Sequence, residues 1–149
     1  MAGILNKTIE SASASFILTL SDLFGLPLKI QGFAPEDMFD TDAVKPTDVV
    51  MGVDGVLSGG MVYKEVVQKV HLSPDSPSIA IFDAWYTTQQ QSRKAYAGSA
   101  VIRLPGIGMS YICTTGWLTN YTPIAAAKKH LQPQEFEITW QGVQPLPIS

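Results

Sequence analysis

Two histidines, one cysteine and a cluster of aspartates are the side chains of this 149-residue chain that could do chemistry. His71, His130 and Cys113 would have to converge in space to make a nucleophile–base pair or a metal site, because their separations match no ligand spacing. Cys113 lies in a strand-like run, where a thiol ordinarily serves as a small buried hydrophobe. Glu36, Asp37, Asp40 and Asp42 offer carboxylates, but a calcium loop sets its oxygens around a turn glycine and a bidentate acid. That pattern is missing here. Gly106-Ile107-Gly108 lacks the third glycine and following helix of a phosphate-binding loop, and reads as a hairpin turn. Lys128-Lys129-His130 fits the end of a short helix, whose dipole it would complement, with a phosphate or partner contact as the alternative. Trp85, Trp117 and Trp140 read as core or interface anchors rather than base-stacking platforms. These residues lead to the expectation of no catalytic, metal or cofactor site, and of a protein that is not an enzyme.

The elements that carry these residues are mostly strands. Phe16 to Leu20 is an apolar run that reads as a first strand, and Leu26 to Ile30 as a second, with Ser21 to Gly25 as the turn between them. Residues 33–48 form a long acidic loop, expected to be poor in strands. Glu36, Asp37, Asp40, Asp42 and Asp48 stand there against Lys45 alone, a local charge of −4. Val49 to Val53 runs into Asp54-Gly55 and then Val56-Leu57, a hairpin signal, with Ser58-Gly59-Gly60 as further turn. The clearest strand follows, with Val62, Val66, Val70 and Leu72 on one face and Glu65, Lys69 and His71 on the other.

A helix is expected over residues 78–91. Ser76 would cap it and Pro77 would sit at its first position, with Ile81, Phe82 and Trp85 as its apolar stripe and Gln89, Gln90 and Gln91 at its polar end. Residues 96–104 and 109–119 should pair antiparallel across the turn at Pro105 to Gly108. Thr122-Pro123 opens a helix-compatible stretch from Ile124 to Leu131. Phe136, Ile138 and Trp140 alternate in a last strand, and Pro145 and Pro147 end the order. The fold class is therefore mainly β, an antiparallel sandwich or barrel with one flanking helix, in a single domain over residues 1–149.

Composition limits the partners. Charged residues make up 15% of the chain and apolar ones 46%, which points to a surface covered in part by other chains. A net charge of −3 argues against general affinity for nucleic acid. The lone cysteine fits a reducing compartment. The N-terminus lacks the order of a signal peptide and no apolar run approaches the roughly 20 residues of a spanning helix, so synthesis in a cytoplasm without membrane insertion is expected.

The run from Gly52 to Val66, with Leu72-Ser73-Pro74-Asp75-Ser76-Pro77-Ser78 and Phe136-Glu137-Ile138-Thr139-Trp140, resembles the tail tube proteins of contractile-tailed bacteriophages over about residues 10–143. The resemblance implies a β-sandwich with a flanking helix, related to the haemolysin-coregulated secretion tube protein. It implies hexameric rings stacked into a hollow tube for DNA ejection, located in the virion. The partners implied are other copies of the chain, a sheath protein, baseplate and tail-terminator proteins, and DNA that passes without specific binding. It also places a ring–ring contact in the acidic loop, at Asp37, Asp40, Asp42, Lys45 and Asp48. Arg93, Lys94, Lys128 and Lys129 are the basic counterparts. A secretion-tube subunit belongs to the same class. A monomeric β-barrel carrying a small apolar ligand is the alternative from a different class.

Overall fold

Strand alternation in the sequence becomes one large antiparallel sheet. A computed structural model, which describes residues 14–21, 23–34 and 38–148, gives the architecture. Its strands are β1 (Ser15–Thr19), β2 (Leu28–Lys29), β3 (Phe39–Thr41), β4 (Thr47–Met51), β5 (Leu57–Met61) and β6 (Val66–Leu72). Helix α1 (Ile79–Ser92) follows, then β7 (Gly98–Leu104), β8 (Met109–Tyr121) and β9 (Gln134–Pro147). Seven strands pair in the order β2-β1-β7-β8-β9-β6-β3, every neighbour antiparallel. The sheet curls into a half-barrel. β4 and β5 form a separate two-stranded ribbon.

The core sits on the concave face. Phe16 and Leu18 of β1, Val70 and Leu72 of β6, Ala100 and Ile102 of β7, and Phe136, Ile138 and Trp140 of β9 alternate inward and are almost completely buried. Helix α1 closes one end of this trough with Phe82 and Trp85, the Phe82 ring stacking on Phe136 at 4.5 Å between centroids. Trp85 donates its indole N–H to the Tyr96 carbonyl at 3.0 Å, so the buried ring keeps its polar atom satisfied. Tyr86 stacks on Tyr121 of β8 at 4.3 Å, and the Tyr121 hydroxyl donates to the Asp83 carboxylate. Burial first, and that hydrogen bond second, push the Tyr121 phenol up to about 12.

Trp140 is the other large anchor. Its indole N–H donates to Gln68 Oε1 at 2.9 Å, which accounts for a buried glutamine on the inward face of β6. Its ring lies flat over Gly116 of β8, where a Cβ would come within 2.3 Å of the indole. Only glycine leaves room there.

Several expectations need correction. The strand expected from Val62 begins at Val66, because the Val62 N–H bonds to the Pro46 carbonyl and closes the root of the ribbon instead. Ser58, Gly59 and Gly60 lie inside β5 rather than in a turn, paired with Val50, Val49 and Asp48. The acidic loop is not strand-free, since Phe39–Thr41 forms an edge strand on β6. Helix α1 starts at Ile79, one residue later than expected, with Ser78 in the cap position, while Ser76 Oγ accepts the Ser78 N–H at 3.2 Å and braces the turn just before it. The Ser76 hydroxyl donates to the Gln31 carbonyl at 2.5 Å, while Ser78 Oγ accepts the Gln31 N–H at 2.7 Å. The backbone at Gln31 of the same chain offers both serines these partners.

Ile124 to Leu131 is not helical. It is a turn closed by an Ala127–Leu131 bridge, with Ile124 and Leu131 exposed, so no apolar face is buried to hold a helix that short. The helix-dipole role of Lys128-Lys129-His130 falls with it. β9 also runs on past Trp140 to Pro147. The Ile148 N–H reaches back to the Gly108 carbonyl, so by alternation Pro145 and Pro147 turn their missing N–H groups toward the open edge. On an edge a missing donor breaks no ladder bond.

Candidate assembly surfaces

The ribbon is the surface that stands out. All ten residues of β4 and β5 are exposed. Gly55, with φ 83°, makes its tip turn, braced by Asp54 Oδ1 accepting the Val56 N–H at 3.1 Å. The register pairs Thr47 with Met61, Val49 with Gly59 and Met51 with Leu57, so these six share one face. Asp48, Val50, Ser58 and Gly60 share the other. One face is thus apolar and the other thin and more polar, which is the pattern of a half-buried sheet. Yet Val49, Met51, Leu57 and Met61 are 55–70% exposed, and Val53 at the tip is fully so. A lone two-stranded hairpin is marginal in water. This one is patterned for a second layer that the described residues of its own chain do not supply.

A second surface is the open end of the trough. Beyond Trp140, where α1 no longer covers the sheet, a groove of about 380 Å³ is left. Ile102 and Leu104 of β7, Tyr111 and Cys113 of β8, Val143 of β9 and Val66 of β6 line it, with Phe39 and Asp40 of β3 at one side. Burial holds the Cys113 thiol up at about 11, which makes it unreactive at neutral pH.

The charged residues singled out in the sequence fall into two separated sets. Asp40 lies on β3, its Oδ2 3.4 Å from His71 Nε2, and it is in register with Lys69. Asp42 follows β3, its N–H bonded to the Val67 carbonyl. Lys45 and Asp48 form an exposed pair at 3.3 Å at the root of the ribbon. Asp37 lies outside the described residues. Of the basic set, Arg93 ends α1 in a left-handed conformation, Lys94 lies 6.0 Å from the centre of the Tyr96 ring, and Lys128 and Lys129 are exposed in the turn before β9. Among the described residues no ion pair joins one set to the other. His71, Cys113 and His130 do not converge either. His71 faces Glu135 on the sheet's outer side, Cys113 lies on the inner side, and His130 is in the exposed turn.

Sequence reasoning found the hairpin but missed its apolar face. The signal was present as alternation of Val49 and Met51, then Leu57 and Met61, but it was hidden by reading Ser58-Gly59-Gly60 as a turn.

Chains in solved structures of contractile injection particles share this fold. A chain of the anti-feeding prophage baseplate shares it with 11% identity, over 97% of this chain and 99% of that one, at a TM-score of 0.60. A chain from the sheath–tube complex of an extracellular contractile injection system in the extended state shares it with 16% identity, over 89% and 88%, at 0.61. A chain from the sheath/tube terminator of such a system matches over 95% and 99%, with 12% identity, at 0.56. The sequence itself is more specific: residues 7–144 match the family described as tail fiber protein gp32, and the chain belongs to that family. It is a structural tail component. No curated protein matches the sequence. Among the described residues no helix is long and apolar enough to cross a membrane.

Proposed function

We propose that the protein is the repeating subunit of a tail tube, in which six copies close a ring and stacked rings form a conduit for DNA ejection. The observation that supports this best is the ribbon. Its apolar face needs a cover, and a chain that repeats along a tube always has a neighbour to provide one. Six subunits at −3 each carry −18 per ring, so DNA, with one charge per roughly 1.7 Å, would not be held by the wall. A sheath outside the tube and baseplate and terminator proteins at its ends are the remaining partners.

The ring–ring contact uses Asp37, Asp40, Asp42, Lys45 and Asp48 of one copy against Arg93, Lys94, Lys128 and Lys129 of another. Among the described residues no ion pair joins the acidic set to the basic set, which suits an electrostatic contact between rings. A ring that starts or ends a tube is the second reading, supported by likeness to baseplate and terminator chains. Negative-stain electron microscopy of the purified protein, dilute and concentrated, tests both. Long hollow tubes are expected, isolated rings would favour the second reading, and monomers at every concentration would count against either. Asp42→Lys should leave rings intact and shorten tubes; tubes of normal length from that variant would remove the ring–ring contact from the account.

A further inference from the structure

We infer that the β4–β5 ribbon of one copy docks, by its apolar face, on the open groove of a neighbouring copy. The inference rests on the tube reading and names the surfaces that join subunits.

Size supports the match. Four large apolar side chains on that face, Val49, Met51, Leu57 and Met61, are 55–70% exposed, and Val53 and Val56 stand exposed at the tip beside them. Full burial of a Val, Leu or Met removes on the order of 100 Å² from water, so the face and tip together offer roughly 600 Å². That is most of the roughly 800 Å² each partner gives to a standard stable interface. The ribbon's apolar face carries no charge, and Asp40, the one charged residue among those lining the groove, turns its carboxylate to His71 on the outer side. Neither surface therefore strands an ion on docking. A dry apolar cavity of about 150 Å³ takes a benzene-sized body. The groove of about 380 Å³ accepts two or three ribbon side chains.

Ribbon and groove are different surfaces of the same chain. A contact between them is heterologous, so it leaves one free ribbon and one free groove at the ends of any open chain of copies. Such contacts close into rings or run on as filaments, and do not stop at two-fold dimers.

Cross-linking between two populations tests the pairing. In a Cys113→Ser background, one population carries Met51→Cys on the ribbon's apolar face and the other carries Leu104→Cys in the groove. Mixed, concentrated and oxidised, they should give a heterodimer band. Adding Leu57→Ser and Met61→Ser to the first population should reduce that band more than roughly tenfold, since each lost apolar anchor is worth about tenfold or more in association. Circular dichroism of the added variant checks that its sheet is intact. Met51–Met51 position links in place of heterodimers would show a two-fold ribbon contact and overturn the inference. Rings or tubes without ribbon–groove links would overturn it while leaving the tube reading standing. Absence of any assembly in the Cys113→Ser parent and the unmodified protein alike would overturn both. A groove occupied by a small apolar molecule that blocks the heterodimer band at every concentration would also overturn it.

Discussion

The inner face of the seven-stranded sheet and the β4–β5 ribbon follow the same two-residue rule and meet opposite fates. In the sheet, Phe136, Ile138 and Trp140 alternate inward and are fully buried, because α1 and the curled neighbours supply a second layer. In the ribbon, Val49 with Met51, and Leu57 with Met61, alternate just as regularly and stay exposed. Alternation states which face wants cover. It does not state whether the cover comes from the same chain. The sheet is therefore the part of the molecule that its own chain covers, and the ribbon the part that, on the proposed reading, a neighbouring copy covers.

Substitutions should separate the two regions, and the largest effect falls in the sheet. Trp140→Ala removes the anchor over Gly116 and leaves the Gln68 amide without its partner, so denaturant unfolding should show a loss of about 3–5 kcal/mol. Gly116→Ala drives a methyl into the same ring, and a loss of about 1–3 kcal/mol is expected in the same measurement. Alkaline titration gives a related loss. The Cys113 thiol is raised in the folded state from 9.0 to about 11. Its contribution is therefore complete below pH 9 and disappears as the pH rises through about 11. About 2–3 kcal/mol should be lost to this thiol across that window and be missing from Cys113→Ala, while the loss that the raised Tyr121 phenol adds above pH 10 should persist in that variant. Ribbon substitutions should change the monomer least. Met51→Ser with Leu57→Ser should shift monomer unfolding by no more than about 0.5 kcal/mol per site, as for exposed positions, while abolishing assembly in sedimentation. A large loss of monomer stability there would erase the contrast between the regions.

The same contrast explains what the sequence made legible. The antiparallel pairing of β7 with β8 was readable because Pro105 to Gly108 is a tight connection between two alternating runs. The α1 stripe was readable from Phe82 and Trp85. Pro145 and Pro147 misled because a proline's effect depends on which side its missing N–H faces, and that is fixed by register with β8 rather than by local sequence. Ser58-Gly59-Gly60 misled because glycines signal turns, and only the pairing with β4 shows them in a strand. The groove beside Trp140 was not legible at all. It exists because α1 covers only part of the trough, a fact of packing that no local pattern records.

Hydrogen exchange on the ribbon tests the central claim most directly, comparing dilute monomer with concentrated assembly. The amides of β4 and β5 should exchange rapidly in the monomer and become strongly protected on assembly, while those of β8 and β9 stay protected in both. Equal exchange of the ribbon in the two states would contradict the account, because it would mean that no neighbouring chain covers it.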